Sequence, residues 1–132
     1  MSNEWYTPAK YIEAARAVMG SIDLDPASCE LANQTVRAAR YYTQEENGLA
    51  QEWYGNVWLN PPYGVQHGKS RIVAFTRKLL RAYWNGDVKQ AVFLVLARTE
   101  ATWFEPLWDY TMCSRTKRIY FYGPDKSKCV SF

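Results

Sequence analysis

Apolar positions along the chain fall first into a helical rhythm and then into short continuous runs, and the change between the two lays out the elements. Tyr11, Ile12, Ala15, Val18 and Met19 recur at helical spacing between Thr7-Pro8 and Gly20. This predicts an amphipathic helix with Thr7 as N-cap, Pro8 at its first position and Gly20 as its stop. Residues 21–28 read as a short strand turning into a helix, with Asp25 as N-cap and Pro26 at the first helical position. Residues 29–40 continue as helix, with Leu31, Val36 and Ala39 towards the core, and Asn47-Gly48 marks a turn. Val57-Trp58-Leu59 is a run of the buried-strand kind. It stops at Asn60-Pro61-Pro62, because proline lacks the N–H that a sheet ladder needs.

Further on, residues 64–70 form a polar loop punctuated by glycine. Ile72, Val73, Phe75, Leu79, Leu80 and Tyr83 mark a second amphipathic helix, whose other face carries Arg71, Arg77, Lys78 and Arg81. A face of that kind is ordinarily solvated surface, with tracking along DNA the less common role. Residues 90–96 are almost continuously apolar, which predicts a central parallel strand covered on both faces. Ala97-Arg98-Thr99-Glu100 then lies on the same rim as Asn60, with Thr99 a candidate cap for a helix starting near Ala101. Residues 118–122 read as another strand, and Gly123-Pro124-Asp125 as a turn. Strands alternating with helices define an α/β domain with a mostly parallel sheet, and ligands of such sheets bind beyond the carboxyl ends of the strands.

Composition narrows the class. A chain of 132 residues, 48% hydrophobic and 22% charged, makes one globular domain, residues 1–132. Six Trp, ten Tyr and five Phe exceed what a core of this size needs, leaving aromatic faces for stacking. Sixteen basic against 13 acidic side chains give a net charge of +3, compatible with a DNA partner. Cys29, Cys113 and Cys129 are widely spaced and His67 stands alone, so no metal site is expected and the thiols read as reduced. No apolar run reaches membrane-spanning length, and no signal-peptide core opens the chain, which places it in the cytoplasm.

The candidate chemistry is concentrated in Asn60-Pro61-Pro62-Tyr63. A nucleobase amino group is a poor nucleophile because its lone pair is delocalised into the ring. An amide oxygen (Asn60) and a neighbouring backbone carbonyl (Pro61) can accept both of its N–H bonds. That arrangement frees the lone pair for attack on an electrophilic methyl group. Acceptors aimed where positive charge develops are the counterpart of an oxyanion hole. The two prolines hold the carbonyl in place, and Tyr63 offers a face on which an extruded base can stack.

These four residues resemble the Asn/Asp-Pro-Pro-Tyr motif of S-adenosylmethionine-dependent amino-methyltransferases. The wider ordered series (Glu-Trp-Tyr-Thr-Pro, Leu-Asp-Pro-Ala-Ser, Tyr-Tyr-Thr, Asn-Gly-Leu, Trp-x-Gly, Asn-Pro-Pro-Tyr-Gly) resembles the phage-type DNA N-6-adenine-methyltransferase (Dam) family, from about Glu4 to Gly123. The resemblance implies a three-layer, Rossmann-like fold, with S-adenosylmethionine as methyl donor and adenine N6 in double-stranded DNA as acceptor. It implies a role in protecting phage DNA from host restriction.

It also implies that Tyr6-Thr7-Pro8 packs over the methionine end of the cofactor and that Asp25-Pro26-Ala27 contacts it. In an alternative alignment, Asp23 and Asp25 are an acidic pair binding the ribose. The loop from Asn47 to Trp53 is expected near the cofactor adenine, with Leu49 or Trp53 against the ring. His67 and Lys69 are candidate DNA contacts, as is Arg98, whose Ala-Arg-Thr is followed by Trp103 and Phe104. Two departures stand out. There is no Gly-x-Gly loop, Ser28-Cys29-Glu30 standing in its place. The interval from Asp25 to Asn60 is too short for two ordinary βα units, which implies a reduced strand number. The resemblance also implies a longer closing strand than residues 129–132 offer. The same motif serves enzymes that methylate RNA or protein glutamine, and an inactive DNA- or cofactor-binding remnant is a further alternative.

Overall fold

The computed structural model describes residues 6–123 and the backbone of 129–131; Asn3, Glu4 and Trp5 of the opening segment and Pro124-Asp125 of the expected turn lie outside them. Four parallel strands make the main sheet: β1 (Leu24–Asp25), β2 (Arg40–Tyr41), β3 (Gly55–Leu59) and β6 (Val88–Phe93), in the order β2-β1-β3-β6. Leu24 pairs with Val57, and Leu59 with Phe93. Because all four run the same way, Pro26, Tyr42, Asn60 and Leu94 leave the sheet on one rim.

β3 organises the interior. Strand side chains alternate between faces, and here they feed two cores. Val57 and Leu59 pack with Leu24, Trp53, Phe75, Leu79 and Val88. Trp58, between them, joins Ile12, Ala15, Met19, Ile22 and Val36. The first core is closed by α3 (Arg71–Trp84) and the second by α1 (Ala9–Met19) and α2 (Glu30–Val36).

Several expectations are corrected. α1 begins at Ala9, with Pro8 in the capping position (ψ 141°) and no side-chain cap, so Thr7 does not cap it. Gly20 does end it, at φ 91°. Val18 lies outside the buried face, 77% exposed. Asp25 caps no helix: α2 starts five residues later, with Cys29 as its cap, the Sγ accepting from the Ala32 N–H. α2 ends at Val36 because Arg37 turns left-handed (φ 51°), which rotates the chain and buries Ala38 in place of Ala39.

The 64–70 loop is a small antiparallel hairpin, β4 (Val65–Gln66) and β5 (Lys69–Ser70). Its turn residues, His67 and Gly68, both have positive φ, the conformation that matches the twist of paired strands. β6 spans 88–93 and is an edge strand among the described residues, not a central one, with Lys89, Gln90 and Ala91 exposed. Its apolar run signals burial of Val92 and Leu94 on one core and Phe93 on the other, which one neighbouring strand suffices to arrange. Thr99 caps nothing, since the following 3-10 helix (Thr102–Asp109) has Ala101 at its start and no side-chain cap. β7 (Tyr120–Tyr122) pairs with β8 (Cys129–Ser131), and Tyr122 also bridges to Tyr6.

Candidate active site at the carboxyl rim of the sheet

β3 delivers the chain to Asn60, where the prolines end the ladder and turn the backbone outward. The Asn60 side chain is partly buried, and its Nδ2 donates to Thr7 Oγ1 at 3.2 Å. Pro61 is buried beneath it. Tyr63 is 37% exposed, and its hydroxyl accepts from the backbone N–H of Leu96 at 2.8 Å. Loss of solvent raises the Tyr63 phenol above its ordinary pKa, against the Leu96 N–H, which lowers it. The ring is thus held by its hydroxyl to the segment that follows β6.

An open groove of about 2120 Å³ takes in this rim and extends well beyond it. Asn60, Pro61, Pro62 and Tyr63 line it, together with Tyr6 and Thr7. Asp25, Pro26 and Ala27 line it from the end of β1, and Asn47 and Leu49 from the next turn. Asp25 is 3% exposed, and its Oδ1 accepts from the Ala27 N–H at 3.3 Å. Burial pushes its carboxyl up to about 7, with the Ala27 amide and the Ser28 side chain opposing the shift.

The 3-10 turn Gly48–Ala50 lies so close to β1 that a Cβ on Gly48 would stand 2.0 Å from the Pro26 carbonyl oxygen. Asn47, at φ 56°, accepts from the Leu49 N–H with its side chain. Lys78 of α3 donates to the Leu49 carbonyl at 2.8 Å, so one residue of the supposedly solvated basic face pins this turn.

Four candidate residues lie elsewhere. Pro8 is outside the groove lining. Asp23 is at the opposite end of β1, where its Oδ2 accepts from the Asn56 N–H at 2.8 Å beside the bulge at Gly55. Trp53 is 3% exposed within the α3 core, its Nε1 donating to the Gly48 carbonyl; of the two candidates for the ring contact, only Leu49 faces the groove. Arg98 is exposed, off the groove and paired with Glu100 at 2.6 Å.

His67 and Lys69 line the groove from the hairpin. So does Arg71, a member of the basic face for which solvated surface was the first expectation and a DNA-tracking role the second. Its backbone N–H donates to the Gly64 carbonyl, next to Tyr63, and its Nε is enclosed without a hydrogen-bond partner. Desolvation lowers its pKa, but a guanidinium stays charged. Arg115, Lys117 and Arg118 also line the groove, and the signal for them was the basic run at 115–118. Among the described residues no cluster of His, Cys, Asp or Glu is placed to hold a metal, and no helix is long and apolar enough to cross a membrane.

A parallel four-stranded sheet with helices packed against it, and a groove that takes in its carboxyl rim, is consistent with the Rossmann-like methyltransferase class. Within that class, the chain belongs to the DNA N-6-adenine-methyltransferase (Dam) family, whose model matches residues 1–130. No curated protein and no solved structure matches it.

Proposed function

We propose that this protein transfers a methyl group from S-adenosylmethionine to the N6 amino group of adenine in double-stranded DNA. The observation that carries the reading is the Asn60-Pro61-Pro62-Tyr63 turn on the groove, with the amide nitrogen of Asn60 already engaged.

The residues present fit such a donor. A buried carboxyl with no basic partner (Asp25) and apolar Ala27 and Leu49 line the groove together, a set suited to a molecule with hydroxyls, a flat ring and a positive centre. When bound, the cofactor supplies an electrophilic methyl group. Asn60 Oδ1 and the Pro61 carbonyl accept from the two N–H groups of the adenine and draw positive charge to that nitrogen as it attacks. The Tyr63 face stacks on the extruded base. The proton leaves to water once the nitrogen is cationic. His67, Lys69 and Arg71 hold flanking phosphates, as phosphate contacts set register. The chain acts as a single three-layer domain in the cytoplasm. Methylation of this kind hides sites from restriction, the role that suits a phage enzyme.

The test incubates pure protein with methyl-labelled cofactor and, separately, DNA, RNA and protein. Label recovered as N6-methyladenine from DNA is the expected result. Label on RNA or on glutamine, or none at all, overturns the assignment.

A further inference from the structure

We propose that Thr7 is a positioning residue which anchors the Asn60 carboxamide by its nitrogen end and leaves the oxygen for the methyl acceptor. This deepens the function proposed above and rests on it. A carboxamide has two ends of nearly the same shape and opposite hydrogen-bonding sense. Only Oδ1 can accept from an amino group; with Nδ2 forward, donor would meet donor. When Oδ1 faces the acceptor, Nδ2 points back into the protein and needs an acceptor there, since a buried amide left unpaired is costly.

Thr7 Oγ1 is that acceptor, at 3.2 Å. Thr7 is 8% exposed, so water is not at hand to replace it. Its hydroxyl is not spent on capping α1, which has no side-chain cap. Its backbone is held on both sides. Tyr6 and Tyr122 exchange hydrogen bonds of 2.7 and 2.9 Å, and the Pro8 carbonyl accepts from the Tyr11 N–H at 3.1 Å. Thr7 is therefore a stationary anchor for the Asn60 side chain, and it acts on the chemistry through Asn60.

The experiment compares Thr7→Val, which keeps the shape and removes the acceptor, with Thr7→Ser, which keeps the acceptor. Each is made alone and together with Asn60→Ala, with Thr7→Ala serving the same comparison should valine not fit. Cofactor affinity by calorimetry, KM for DNA, kcat and Tm are measured for all. Thr7→Val should lower kcat by about tenfold, the preference one neutral hydrogen bond gives to one orientation. Cofactor affinity and KM should hold, and Thr7→Ser should recover most of the turnover. In the Asn60→Ala background, where no amide remains to be set, Thr7→Val should add nothing to the loss.

Weakened cofactor binding with kcat intact, or a loss that adds in full to that of Asn60→Ala, makes Thr7 a cofactor contact and overturns the role. A wild type that labels adenine alongside an unaffected Thr7→Val overturns this role alone. A wild type that labels no DNA overturns it together with the function.

Discussion

Asn60, Tyr63 and Asp25 make three separable demands on the groove, and each can be removed alone. Asn60→Ala deletes an acceptor aimed at developing positive charge. It should cost about 10² to 10³ in kcat, roughly 3 to 4 kcal/mol, with cofactor affinity and Tm near wild type; turnover at the wild-type rate would take Asn60 out of the chemistry. Tyr63→Ala removes a stacking face and should cost about 1 to 3 kcal/mol of DNA binding or turnover. Tyr63→Phe keeps the face and loses only the bond from Leu96, so its effect should be several times smaller. Equal damage from both would shift the role to the hydroxyl. Asp25 tests differently, through pH. With its carboxyl at about 7 in the fold against 3.8 unfolded, the native state keeps a proton that the unfolded chain has lost. The fold therefore loses stability progressively as pH rises from about 3.8 to 7. Asp25→Asn, which retains an oxygen for the Ala27 N–H, should melt close to wild type at pH 4 and above it at pH 8, while binding cofactor more weakly. Tm curves that run parallel across this range would refute the account.

The turn at Gly48 governs how β1 and the 47–53 loop fit together. Gly48→Ala would place a Cβ 2.0 Å from a backbone oxygen that cannot swing aside. Separation of the turn from Pro26 should cost about 2 kcal/mol or more in chemical denaturation and loosen cofactor binding; an alanine tolerated without loss would mean the two segments are not apposed. Elements of this kind were unevenly legible in the sequence. β3, its end at Asn60, the body of α3 and the stop at Gly20 were read correctly, because hydrophobic period and the chemistry of proline and glycine are local. The left-handed Arg37 was not, since a non-glycine residue gives no signal for that conformation, and it exchanged Ala39 for Ala38. The hairpin at 64–70 hid behind polar, alternating side chains too few to show a strand. Leu49 and Trp53 were equal candidates until the fold turned one ring into the core. The Thr7–Asn60 contact joins residues 53 apart, and no spacing rule reaches that far. The choice of adenine was carried by resemblance alone, as nothing in composition or period encodes it.

Across the assembled fold, the groove collects basic side chains from the hairpin (Lys69), from α3 (Arg71) and from the coil before β7 (Arg115, Lys117, Arg118). Affinity for duplex DNA should accordingly fall with salt. Lys69→Gln or Arg71→Gln should each flatten the log–log slope by about 0.9 while leaving sequence preference alone. Slopes that do not move would remove those residues from the interface. The Tyr6–Tyr122 bridge has a different consequence, one that concerns time. It joins positions 116 residues apart (122 − 6), and through it the segment bearing Thr7 is set beside Asn60. During synthesis, β1, β3 and the Asn60 turn are complete long before Tyr122 is added, and only then does the Tyr6 side of Thr7 gain its backbone partner. A growing polypeptide on the ribosome thus carries every side chain of the tetrad before the backbone pairing beside Thr7 is made.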